Sequence, residues 1–82
     1  MTVGSATYGA NCGAPASNML SQVRASCSAK TGCSFTPLGL IGDPAPGCAK
    51  TAGVTYHCAA GTEKSQNAAA EAGYTTFALA CP

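Results

Sequence analysis

Six cysteines in an 82-residue chain, Cys12, Cys27, Cys33, Cys48, Cys58 and Cys81, constrain this sequence more than any other feature. A core this small buries little surface per ordered residue and is marginal by itself, so chains of this size need staples. An even cysteine count in a short, loop-rich sequence reads as a disulfide framework. Such frameworks persist in oxidising compartments, which predicts a secreted or otherwise extracytoplasmic protein. Each bridge contributes about 2–4 kcal/mol against a domain stability of about 5–15 kcal/mol. Zinc is the rival use of cysteine, but structural zinc sites favour close pairs such as C-x2-C. The intervals here are 14, 5, 14, 9 and 22 residues, with one histidine in the chain. Three disulfides and no metal are therefore expected. Six cysteines allow fifteen pairings, and spacing alone selects none of them.

The length suits one domain over residues 1–82. Four basic and three acidic residues give a net charge of +1. Arg24, Lys30, Lys50 and Lys64 are dispersed, so there is no basic stripe for a phosphate backbone and no nucleic-acid partner is expected. No apolar run approaches the ~20 residues of a membrane span. The first residues lack the basic and apolar regions of a secretory signal, so either Met1 is an added start or the chain is one module of a longer secreted protein.

Thr2–Tyr8 is rich in β-branched and small residues and predicts a strand. Gly9–Pro15 predicts a loop. Ser17 or Asn18 is placed to cap a helix in which Leu20, Val23 and Cys27 share one face, ending near Ala29–Lys30. Gly32–Thr36 is a short strand candidate. Pro37–Lys50, with three prolines and three glycines, reads as irregular. Val54, Tyr56 and Cys58 alternate, as do Thr75, Phe77, Leu79 and Cys81, so both stretches predict strands. Ala59–Ala72 is polar and alanine-rich without an apolar stripe, and Lys64–Ala72 predicts at most a weak helix. The sum is an α+β chain with several short strands and one helix.

Catalysis needs a nucleophile with a base, paired carboxylates or a metal. The single histidine, His57, falls on the strand face opposite Val54 and Tyr56 and reads as a solvent-facing spacer. Asp43, Glu63 and Glu71 are the only carboxylates. No two of them are set up as acid and base, and Glu63 lies in the loosest segment, so no enzyme activity and no cofactor are expected. The segment Ile41–Lys50 differs. Its prolines fix φ and Cys48 pins it, which holds polar groups in place at low entropic cost. Asp43, Lys50 and the Gly47 N–H together offer the acceptors and donors that sugar hydroxyls require. The plainer alternative is that Asp43 caps a local turn and Lys50 is a solvated surface charge.

Several motifs resemble the sea-urchin-egg-lectin type domain, also called the rhamnose-binding lectin domain. They are Ser5-Ala6-Thr7-Tyr8-Gly9, the Cys27/Cys33 pair, Gly42-Asp43-Pro44 with Gly47 and Lys50 in register, and Val54–Cys58. Order and spacing agree over Val3–Cys58, about two-thirds of the chain. Two departures stand out. Ala10 occupies the place of the family's arginine after Tyr-Gly, and the family's opening strand is absent before Val3. The segment Glu71–Pro82 looks like that missing strand, which implies a circular permutation. Residues 59–72 would be its connector and 73–82 the displaced strand. The resemblance implies a small antiparallel β-sandwich and the pairs Cys12–Cys48, Cys27–Cys33 and Cys58–Cys81. It also implies a carbohydrate-binding module for rhamnose- or galactose-type sugars. Tyr8, Asp43, Gly47, Lys50 and, more loosely, Glu71 would form its site. A single shallow site would gain avidity in a homo-oligomer or a repeat array. A non-lectin protein-binding or structural module, and a small toxin or inhibitor, are the competing functions.

Overall fold

The computed structural model describes residues 1–27, 31–58 and 61–81. Five strands and two helices follow in the order β1 (Thr2–Tyr8), α1 (Leu20–Cys27), β2 (Gly32–Phe35), α2 (Pro37–Ile41), β3 (Ala52–His57), β4 (Glu63–Ala68) and β5 (Phe77–Ala80). A 3-10 turn at Ala10–Cys12 follows β1. The strands form two antiparallel sheets, β1-β3-β4 and β2-β5. The domain is thus a small α+β fold held by disulfides.

In β3 the alternation buries Ala52, Val54 and Tyr56, as period-2 strands do when one face is covered. β1 would lose this match without an irregularity. Its register against β3 shifts between Val3 and Ser5, which moves the buried set from Val3 to Ala6 and Tyr8. One extra residue re-aims a strand in this way. α1 lays Val23 and Cys27 into the core, and Arg24 Nε donates to the Val3 carbonyl at 3.1 Å. Phe77 is fully buried and stacks on Phe35 with centroids 5.5 Å apart, which joins β5 to β2.

Four local expectations are corrected. Pro37–Ile41 is a second helix rather than irregular chain. Thr36 caps it by accepting from Gly39 N–H, Pro37 opens it, and Gly42 ends it at φ 75°, the usual start and stop residues of a helix. Residues 63–68 form a strand rather than a weak helix. Pairing with the open edge of β3 outweighs local preference, and the polar side chains serve the neighbouring strand. Gln66 Oε1 accepts from Ala78 N–H at 3.1 Å, and Lys64 Nζ donates to the Ala80 carbonyl at 3.2 Å. Glu63 is not loose, because it faces His57 across β3 and β4 at 3.3 Å. Asn18 spends its amide on the backbone of Tyr8, at 2.8 and 2.7 Å, rather than on the helix. The expected helix end at Ala29–Lys30 lies outside the described residues.

The bridges are Cys12–Cys48, Cys27–Cys33 and Cys58–Cys81, and no described cysteine is free. These are the pairs that the resemblance implies. Three disulfides in so short a chain point to an oxidising environment. No helix among the described residues is long and apolar enough to cross a membrane.

Candidate functional site

A cleft of about 290 Å³ opens where the end of β1, α2 with the loop that follows it, and the segment before β5 meet. Tyr8, Asp43, Gly47, Lys50 and Glu71 all line it, joined by Leu38, Cys48, Ala49 and Tyr74. Five residues drawn from three distant stretches of sequence are thus brought together.

Each is positioned by local chemistry. Tyr8 ends β1 as an inward residue. Its ring is 1% exposed, and its hydroxyl donates to Glu71 Oε2. The loop reaching Lys50 turns over Ala45-Pro46-Gly47-Cys48, where Cys48 N–H donates to the Ala45 carbonyl at 3.1 Å. Gly47 takes φ 82°, the conformation a Pro-Gly turn of type II requires at its third position. Asp43 Oδ1 accepts from Ala45 N–H at 3.0 Å, so Asp43 does cap a local turn. It also pairs with Lys50 Nζ at 3.0 Å while remaining 40% exposed.

Lys50 is no solvated surface charge. Its side chain is 3% exposed, unusual for lysine unless it is paired. The ammonium meets Asp43 Oδ1 at 3.0 Å, Glu71 Oε1 at 3.2 Å, and the Cys48 and Ala45 carbonyls at 2.6 and 3.3 Å. It also lies 5.5 Å from the centre of the Tyr8 ring. An ammonium has three donors, and these partners saturate them. Lys50 therefore organises the cleft rather than offering a hydrogen to a ligand.

Glu71 is equally committed. Its carboxylate accepts from Tyr8 hydroxyl, Lys50 N–H at 2.8 Å and Gly73 N–H at 2.7 Å. The Tyr8 hydroxyl, then these N–H groups and the ammonium, outweigh burial and hold its pKa at about 2, against an ordinary 4.5. Lys50, then Ala45 N–H, lowers the Asp43 carboxyl. Burial alone would lower the Lys50 pKa, but Asp43 and Glu71 prevail and raise it. Burial, reinforced by Glu71, pushes the Tyr8 phenol up.

A pH dependence follows. A carboxyl depressed in the folded state adds stability above its unfolded pKa and loses it as pH falls toward the folded value. Glu71 is expected to stabilise the fold above pH 4.5 and to lose that contribution progressively toward pH 2. The thermal midpoint of the wild-type chain should drop across this window, and that of Glu71→Gln should drop less. Parallel curves would show that Glu71 is not the titrating group.

Asn11, Leu38 and Tyr74 join the site although the sequence did not single them out. Asn11 Nδ2 donates to the Ala49 carbonyl at 2.9 Å and its Oδ1 accepts from Thr51 N–H at 2.9 Å, which clamps the chain on both sides of Lys50. The only signal for Asn11 was its place beside Cys12. Tyr74 gave none, because an aromatic next to a strand reads as core. Ala10 lies exposed in the 3-10 turn. No group of His, Cys, Asp and Glu suited to a metal occurs among the described residues. Comparison with protein-family models, with curated proteins and with solved structures returns no match.

Proposed function

We propose that this cleft binds a neutral saccharide of the rhamnose or galactose type, as an extracytoplasmic binding module rather than an enzyme. The observation that carries the reading is the convergence of Tyr8, Asp43, Gly47, Lys50 and Glu71, named from sequence, on one cleft large enough for a sugar ring. Asp43 is its exposed acceptor. Its known contacts use Oδ1, which leaves Oδ2 for a hydroxyl. Gly47 and Ala49 supply backbone N–H groups without an acceptor among the described residues. Two carboxylates against one ammonium give the cleft a charge of −1, which disfavours acidic sugars. Both cleft carboxylates are held ionised by their partners, which suits binding better than proton transfer.

The same reading takes the two sheets as halves of a small sandwich and the chain as a permuted form. Thr2 pairs with His57, and the next residue, Cys58, is bonded to Cys81 with Cα atoms 5.5 Å apart. The two ends of the described chain therefore meet at one place, the geometry that permutation tolerates. A single small site binds weakly, so function in a repeat array or a homo-oligomer follows from avidity.

A glycan array, followed by titration with rhamnose, galactose and galacturonic acid, tests the proposal. Millimolar binding of the neutral sugars is expected. Galacturonic acid should bind several-fold more weakly, and Asp43→Ala should weaken the neutral sugars about 10-fold or more, the usual cost of losing a charged hydrogen-bond partner. No binding at millimolar sugar, or binding unchanged in Asp43→Ala, would leave the protein-binding or structural role on this scaffold as the better reading.

A further inference from the structure

Tyr74 is 79% exposed, the one large hydrophobic side chain that the described residues leave in solvent. It nevertheless lines the cleft. The backbone beneath it is fixed on all sides. Ala72 N–H donates to the Lys50 carbonyl at 2.8 Å, Thr75 N–H to the Ala72 carbonyl at 3.0 Å, and Leu38 N–H to the Gly73 carbonyl at 3.1 Å. Gly73 packs so closely on the site that an added Cβ would strike the Tyr8 hydroxyl and lie 2.6 Å from Glu71 Oε2. An exposed aromatic ring on an immobile turn at the mouth of a cleft presents apolar area at little entropic cost, because tyrosine has few rotors to freeze.

The other aromatic ring of the cleft cannot take this part. Tyr8 is buried, its hydroxyl is held by Glu71, and the Lys50 ammonium lies against its ring. The remaining groups are polar, apart from the partly buried Leu38 and the small Ala49 and Cys48. A pyranose also has two sides: hydroxyls gather on one, and ring C–H bonds form an apolar patch on the other. Resting on the carbohydrate reading above, we propose that Tyr74 is the stacking platform of the site. It covers the C–H face of a neutral pyranose while Asp43 and the loop backbone hold the hydroxyls. The site then selects sugars with an uninterrupted C–H face and discriminates against those with a hydroxyl directed into it.

Titration of methyl α-L-rhamnopyranoside and methyl β-D-galactopyranoside into the wild-type chain and into Tyr74→Ala and Tyr74→Phe, followed by NMR, tests this. Tyr74→Ala should weaken both glycosides about 2- to 10-fold, the range of an aromatic contact, with the fold unchanged because the ring is exposed. Tyr74→Phe should bind within about twofold of wild type, since the ring and not the hydroxyl makes the contact. The chain contains no tryptophan, so Tyr74→Trp adds a single fluorophore whose emission should shift on saturation. Wild-type binding with equal affinity in Tyr74→Ala, or unshifted emission from Tyr74→Trp at saturating sugar, would overturn the platform and leave the carbohydrate reading standing. Absence of binding by the wild-type chain itself would overturn both.

Discussion

Replacing Cys12 and Cys48 together by serine is expected to cost about 4 kcal/mol of stability and to abolish ligand binding. The bridge closes a sequence separation of 36, against 23 for Cys58–Cys81 and 6 for Cys27–Cys33. In the loop-entropy account the constraint on the unfolded chain grows with the logarithm of loop length, giving about 4, about 3.5 and about 2 kcal/mol. A chain of this size has about twice the largest of these values in total, at about 0.1 kcal/mol per residue. Function is hit harder than stability, because Cys48 ends the turn that carries Gly47, just after Asp43, and itself lines the cleft. Without the bridge, hydrogen bonds are what tie the 3-10 turn to the end of the loop: the Asn11 clamp on residues 49 and 51 and the Gly9 N–H to the Thr51 carbonyl at 2.8 Å. Denaturant unfolding of the three paired-serine variants checks the ranking. An equal loss from removing Cys27–Cys33 would show that loop closure is not what the bridges contribute.

Lys50→Met should weaken sugar affinity by about 30-fold or more, the scale expected when one partner of a buried charge pair is truncated. Methionine keeps the apolar stem but leaves Asp43 and Glu71 with no shared cation and two carbonyls without their donor. The signature is in the pH dependence. Lys50 has a raised pKa, so its contribution is present below 10.5 and lost above it. Its partners are depressed from 3.8 and 4.5, so theirs is present above those values and lost below. The gap in thermal midpoint between wild type and Lys50→Met should therefore be widest near neutral pH and close in both acid and alkali. A gap that does not change with pH would mean that the side chain acts by packing alone. Lys50→Arg should not restore binding, because a planar guanidinium differs in size and shape from the ammonium that this buried position holds.

Much of this domain was legible locally. The alternation in Val54, Tyr56 and Cys58 and in Phe77 and Leu79 announced strands, since half-buried strands repeat every two residues. The Leu20, Val23 and Cys27 face announced α1 for the equivalent reason. α2 was missed, because the density of Pro and Gly around Thr36, Pro37 and Gly42 masked a helix of five residues. β4 was not legible. Glu63–Ala68 has neither β-branched nor aromatic residues, and only the unpaired edge of β3 and the unsatisfied backbone of β5 make it a strand. Asp43 and Lys50 stood out by their setting among prolines and glycines, but their roles did not. Whether a lysine is a solvated charge or a buried hub depends on what surrounds it.

The sequence by itself determined that the chain needs three staples, that it alternates into strands around one principal helix, and that a rigid loop carries a carboxylate and an ammonium. These follow from chain length, periodicity and fixed φ values, all of which act over a few residues. The Cys12–Cys48 bridge to that loop was expected from the resemblance rather than from spacing, whereas tertiary structure alone decided that Lys50 is buried between two carboxylates and that Tyr74 stays in water. Those outcomes depend on which polar groups and sheet edges remain unsatisfied once distant segments meet. The six cysteines thus predict a stapled fold, but only their placement in space makes one staple part of a cleft.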